Sequence, residues 1–262
     1  MRFITLLLLM LALGVLSASA QDDATGSLEF RANGEGFVRE GFVSKDGWSI
    51  AFDAIYVNLT RVRAHQTNPP YDAFSGELTA SSHMVGLPGE MVIDLAEGDE
   101  NADTLLVGVV EVAPAGYYNA VEWVMTPAES GPSAGYSLWI DGTAAKDGQT
   151  IPFVIRIDEE FAFSCGAFLG DERKGVVSAE ATGQVEMTFH FDHIFGDADT
   201  PLDDSLNTGA PGFDMLAALA LDGAVDVSLS DLEASLSADD FQMFSAVLPS
   251  LGHVGEGHCH ES

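Results

Sequence analysis

Three of the seven histidines and one of the two cysteines fall in the last ten residues, His253-Val-Gly-Glu256-Gly-His258-Cys259-His260-Glu261-Ser262. Two more histidines, His190 and His193, lie in Thr188-Phe-His190-Phe-Asp192-His193-Ile-Phe195. Imidazole and thiolate are the donors that borderline and soft transition metals prefer. A chain that uses both sparingly and crowds them at one end is built more like a metal ligand set than a decorated surface.

Spacing sharpens that expectation. If the stretch around Phe189 is a strand, Phe189 and Phe191 face inward while Thr188, His190 and Asp192 share the other face. Asp192 can then ligate beside His190 or orient a histidine from behind. His193 joins only if the chain bends at Asp192, with Gly196 just downstream. In an extended tail His258 and His260 project to one side and Cys259 to the other. Gly252, Gly255 and Gly257 give the backbone freedom to wrap an ion, and Glu256 offers an oxygen. The expected site is therefore His190, His193, His253, His258 and His260, holding Zn²⁺ or Cu²⁺. Unperturbed imidazoles would release the ion as pH falls through ~6.5.

Cys165 and Cys259 are expected to form a disulfide, the ordinary state of a cysteine pair in an oxidising compartment. The alternative is Cys259 as a free thiolate ligand. Closing so long a loop stabilises a fold by ~4–5 kcal/mol in the chain-entropy description.

Other motifs are weaker. Asp197-Ala-Asp199-Thr-Pro-Leu-Asp203-Asp204 resembles a calcium loop but has Pro201 and Leu202 where an EF-hand needs an oxygen donor and glycine. Gly131-Pro-Ser133-Ala-Gly135 has the letters of a nucleophile elbow without a strand before and a helix after it. His-Glu-x-x-His is absent. The expected function is thus an exported metal-binding protein active in sequestration, delivery or sensing, more a binder than an enzyme. Two alternatives stand beside it: a structural or adhesive β module whose histidines decorate a flexible end, and a metal-dependent hydrolase with Glu256 as base.

Residues 1–20 read as a secretory signal: Arg2, an apolar run from Ile4 to Leu16, and Ala18-Ser19-Ala20 as the cleavage site. The protein is accordingly expected in the periplasm or secreted, with any envelope protein partner unassigned. The apolar run is too short to span a bilayer. Lys and Arg number 10 against 41 Asp and Glu, a formal net charge of −31. Such a field repels phosphate backbones and excludes nucleic acid as a partner. Spread along the whole chain, it reads mainly as surface solvation.

The elements that must position the histidines are mostly strands. Ser27–Arg31, Trp48–Phe52 and Ile55–Leu59 alternate. Thr104–Val112, Tyr118–Met125, Ser137–Ile140, Ile151–Phe163 and Gln184–Phe191 are further apolar runs. Asn33-Gly34, Asp46-Gly47, Asp141-Gly142 and Asp147-Gly148 punctuate them. Helices are predicted over Pro201–Leu206, Gly212–Leu221 and Leu232–Leu251, with Ser230-Asp231 and Ser237 as N-caps. The expectation is a mainly β protein: an antiparallel β-sandwich, Ig-like or jelly-roll-like, over residues 21–196. Residues 197–262 are expected to form a helical appendage and His/Cys-rich tail packed on the same domain.

Three segments resemble the exported bacterial β-sandwich proteins of the MbnP-like, copper-associated type. Phe52–Val62 is similar to an early core strand. Pro114-Ala-Gly-Tyr-Tyr-Asn119 is similar to a recurrent glycine-tyrosine strand entry, and Val185–Gly196 to a late strand leading into a helical turn. The resemblance implies copper handling; it covers under a third of the chain, and the histidine-cysteine tail is not part of it.

Overall fold

The computed structural model describes residues 24–74, 80–99 and 101–261. The expected leader, residues 1–20, lies outside the described residues. β1 (Thr25–Asn33) runs through a short helix, α1 (Glu35–Glu40), into β2 (Phe42–Val43) and the long β3 (Ser49–Thr67). β4 (Ser81–Gly86), β5 (Glu90–Asp94), β6 (Leu105–Pro114), β7 (Gly116–Tyr117) and β8 (Ala120–Met125) follow. β9 (Leu138–Lys146) and β10 (Gln149–Ile157) form a hairpin. Asp147 and Gly148 take φ of 52° and 81° in its two-residue loop, the pair of positive φ that a type I′ turn needs. β11 (Phe161–Cys165), β12 (Val176–Val177) and β13 (Thr182–Phe189) complete this part of the chain.

Beyond it come α2 (Asp192–Phe195), α3 (Ser205–Gly209), α4 (Asp214–Ala217), β14 (Val225–Ser228), α5 (Leu229–Ser235) and α6 (Ala238–Val247). A single 3₁₀ turn, Leu248–Ser250, leads into β15 (Gly252–Val254) and β16 (Gly257–Glu261). The caps explain the helix starts. Ser237 accepts from Asp240 N, and Ser228 forms a reciprocal capping box with Asp231. The cap of α5 thus lies before the Ser230-Asp231 expected from sequence, because Asp231 supplies the returning carboxylate rather than the cap.

The mainly β expectation holds, but the strands do not form a clear antiparallel sandwich. Among the described residues fourteen strands form one curled mixed sheet, in the order β14-β10-β9-β3-β8-β11-β16-β15-β13-β1-β6. β2, β4 and β5 also pair with β3. The pairing is not purely antiparallel: β1 runs parallel to β13 and β10 parallel to β14. Bulges let β3 serve successive partners, with register shifts at Phe52/Ala54 against β9 and at Thr60/Arg63 against β8. Asp141-Gly142 is not a turn. Gly142 lies within β9, where a Cβ would meet the Ala51 carbonyl oxygen at 2.3 Å, so glycine serves close strand approach.

Residues 197–262 hold helices over other bounds than expected, α3 starting at Ser205 and the Leu232–Leu251 run being split between α5, α6 and the 3₁₀ turn, and they also hold β14, β15 and β16. The C-terminal hairpin is central: β15 pairs with β13 and β16 with β11, joining two halves of the sheet. Its packing is aromatic. Trp123 and Phe163 stack at 5.2 Å, Phe189 meets Trp123 at 5.9 Å, and all three are buried. Gly252 passes over Phe163 so closely that a Cβ would lie 2.5 Å from its ring.

Cys165 and Cys259 face each other across β11 and β16 and are bridged. Cys259 is therefore a staple and not a thiolate ligand. No helix among the described residues is long and apolar enough to cross a membrane.

Candidate metal centre

Three elements deliver the histidines. β13 ends at Phe189, and the chain turns at Phe191 into α2, whose first residue is Asp192. His190 and His193 lie on either side of that turn, and their ring centroids are 5.6 Å apart. Gly196, at φ 67°, ends the helix. The third histidine arrives by strand pairing: Thr188 is the register partner of His253. The Gly255-Glu256 loop, with Gly255 at φ 60°, then folds His258 opposite His253.

The outcome is a convergent trio. One ligand atom from each of His190, His193 and His253 lies within 4.8 Å of the others. The rings of His190 and His253 stack at 4.1 Å, and His193 meets His253 edge-on at 5.2 Å. His190 and His253 are 7% and 2% exposed, so these donors are shielded from water.

Hydrogen bonds fix which nitrogen is free. His253 Nε2–H donates to the Ser250 carbonyl at 3.0 Å, leaving Nδ1 buried with no partner. Ser250 Oγ–H donates to the Val247 carbonyl at 2.8 Å, so it accepts from His193 Nδ1–H at 3.0 Å and leaves the His193 Nε2 pair free. His190 Nε2 is buried without a hydrogen bond, and the Gly255 backbone beside the ring favours its protonated form. Anchoring one imidazole nitrogen while the other points at a common centre is how metal-ligating histidines are oriented.

The electrostatics match. Burial, then the neighbouring imidazoles, hold His190 at about 4 and His253 at about 3. His193 is also lowered, chiefly by burial, against the opposing pull of the Asp192 carboxylate. The rings are therefore neutral at neutral pH and carry available lone pairs. Around them stand acids short of cations. Burial raises Asp192, whose Oδ1 has no hydrogen bond. Burial, then Asp192, Glu256 and Glu186, push Glu35 up to about 7. Glu35 Oε1 lies 3.5 Å from His190 Nε2, too long for a good hydrogen bond, and with His190 neutral this contact is no ion pair.

The two remaining expected ligands are placed differently. His258 is exposed, its ring 4.9 Å from that of His253. With His193, Leu206, Ala210, Val247 and Ser250 it lines a cavity of about 260 Å³ beside the trio. His260 sits opposite Ser164 of β11, outside the converging group. Sequence reading missed Ser250 and Glu35. Ser250 acts through a 3₁₀ turn formed by packing; Glu35 directly follows the Asn33-Gly34 turn signal but is distant in sequence from every histidine of the trio.

The other motifs resolve as local structure. Asp197 accepts from Asp199 N and Thr200 Oγ, and Asp204 caps α3, so that acidic stretch is a turn. Ser133 is fully buried in a turn with no helix following it. No protein-family model, curated protein or solved structure matches this chain.

Proposed function

We propose that this protein binds a transition-metal ion, Zn²⁺ or Cu²⁺, through His190, His193 and His253, and acts in metal sequestration, delivery or sensing. One observation carries the reading: three clustered imidazoles, two of them buried and two held by a hydrogen bond through one nitrogen, bring a ligand atom each within 4.8 Å of one another. Buried polar atoms are normally paired, and two of these three have no hydrogen bond. Neutral nitrogen donors suit zinc and copper better than magnesium or calcium. Copper is the choice that the MbnP-like resemblance favours. His258 stands close enough to join or to exchange with an incoming ligand at the cavity. That cavity also leaves room for the hydrolase alternative, in which an open metal position would face a small substrate. The disulfide is compatible with an extracellular or periplasmic setting.

The test is metal content and titration calorimetry on tag-free, chelator-free protein. One ion per chain, bound at high salt and lost in the His190→Ala/His193→Ala/His253→Ala variant, is expected. Binding that survives the triple substitution but vanishes in molar salt would assign the ions to the acidic surface instead. Because burial holds His190 at about 4 and His253 at about 3 and lowers His193 as well, proton competition should set in below the ~6.5 of free imidazole.

A further inference from the structure

We propose that Glu35 is a fourth ligand of this centre, making it a three-histidine, one-carboxylate site. This inference rests on the metal-binding reading above and deepens it. Glu35 comes from the opposite end of the chain, at the β1–α1 junction, and its Oε1 lies 3.5 Å from His190 Nε2. Two donors so spaced, each ~2.0–2.1 Å from one ion, subtend roughly 115° at it, close to a tetrahedral edge. Its oxygen touches His190 but is not among the donors that converge within 4.8 Å, so Glu35 must turn toward the other two rings to ligate.

The backbone at this residue is the second observation. Glu35 has φ 64°, a left-handed conformation that a non-glycine side chain adopts only when its surroundings enforce it. Here they do. Asn33 Oδ1 accepts from Glu35 N at 2.9 Å, and Asn33 Nδ2 donates to Glu186 Oε1 at 3.0 Å. Lys174 holds the other oxygen of Glu186. At Gly34 a Cβ would press on Val38 and Leu95 at 3.0–3.1 Å, so the turn before Glu35 is tightly packed. A strained residue fixed from behind, with its carboxyl beside an unpaired imidazole nitrogen, is placed as a ligand is placed. A dication among three neutral rings also leaves two positive charges in a largely dry site, and a carboxylate offsets one of them.

The experiment titrates Zn²⁺, and Co²⁺ as its spectroscopic stand-in, into full-chain wild type, Glu35→Gln, Glu35→Asp and Glu129→Gln, with folding checked by circular dichroism. Glu35→Gln should weaken Zn²⁺ binding by roughly 100-fold or more, beyond the range of an outer-sphere partner, and shift the visible Co²⁺ bands. Glu35→Asp, which keeps the charge but shortens the arm, should weaken it too, and Glu129→Gln, an exposed carboxylate outside the site, should match wild type. Unchanged affinity and bands in both Glu35 variants would overturn the fourth ligand while leaving the three-histidine reading intact. A wild type that binds neither ion would overturn both.

Discussion

His65 and His253 are both buried in the same sheet, 5% and 2% exposed, yet their hydrogen-bonding surroundings differ. His65, on β3, is enclosed by partners: its Nε2 meets Glu122 Oε2 at 2.8 Å and its Nδ1 meets Ser81 Oγ at 3.4 Å. The Glu122 carboxyl is held below its usual range first by that hydrogen bond. His253 has one nitrogen on a carbonyl and the other with no hydrogen bond, facing two more imidazoles. Burial alone therefore does not mark a ligand. The mark is an oriented lone pair left unused in a place where leaving it unused is costly.

The largest expected effect separates the two outright. His253→Ala should abolish stoichiometric Zn²⁺ or Cu²⁺ binding, an affinity loss of roughly 100-fold or more, beyond what outer-sphere changes produce. His65→Ala should leave metal affinity unchanged and instead lower stability by ~1–3 kcal/mol, because Glu122 loses its partner. Calorimetric titration and thermal melts on both variants check this. Equal effects on metal binding would erase the distinction.

The disulfide comes next. Replacing Cys165 and Cys259 with serine opens a link spanning 94 residues, and loop entropy sets a loss of up to ~4–5 kcal/mol. The melting temperature should fall strongly while His65 keeps its partners. Metal affinity should fall less, since β15 stays paired to β13 through Thr188 and Phe189. A melting temperature unmoved by the double substitution would mean that the hairpin is held by its aromatic packing alone.

The comparison also shows what sequence could reveal. Residue type and crowding drew attention to His190, His193, His253 and Cys259, and passed over His65, which stands alone in an alternating strand. Alternation located β1 and β3, because side-chain period two is imposed by the pleat itself, and apolar runs marked β6, β8, β9, β10, β11 and β13. Sheet closure was not legible. Nothing local states that β15 and β16 insert between β13 and β11, and nothing local makes β1 parallel to β13; both follow from which apolar faces meet. The same limit separated His260 from the group, since its register partner is Ser164. Glu35 was invisible for the converse reason, being brought to the histidines by the parallel pairing of β1 with β13.

A smaller effect is expected at Ser250, which serves two of the three rings. Ser250→Ala removes the hydroxyl that accepts from His193 but keeps the carbonyl that holds His253. Metal affinity should drop about 10-fold, the low end for an outer-sphere partner. A loss as large as that of His253→Ala would mean that Ser250 sets the whole centre and not one ring.

The finest discrimination is the acid limb of stability in the metal-free protein. His190 and His253 titrate near 6.5 when unfolded but at about 4 and about 3 when folded. Between those values the unfolded state binds protons that the native state refuses, so their contribution is fully present above pH 6.5 and is lost as pH falls. Glu35 works the other way. Its folded value of about 7 lies above the unfolded 4.5, so its contribution is complete below pH 4.5 and lost as pH rises through 7. The opposing trends partly cancel between pH 6.5 and 4.5, where two histidines lose against one carboxyl; below 4.5 the offset from Glu35 is gone and the lowered Glu122 adds to the loss. The melting temperature of the metal-free protein should therefore decline from pH 6.5 to 4.5 and more steeply just below 4.5. Replacing His190 and His253 with asparagine should remove the decline between pH 6.5 and 4.5, whereas His65→Asn should leave that part in place. If His65→Asn flattens the limb and the double variant does not, the acid sensitivity belongs to the paired histidine, and the assignment of neutral, ligand-ready rings at His190 and His253 fails.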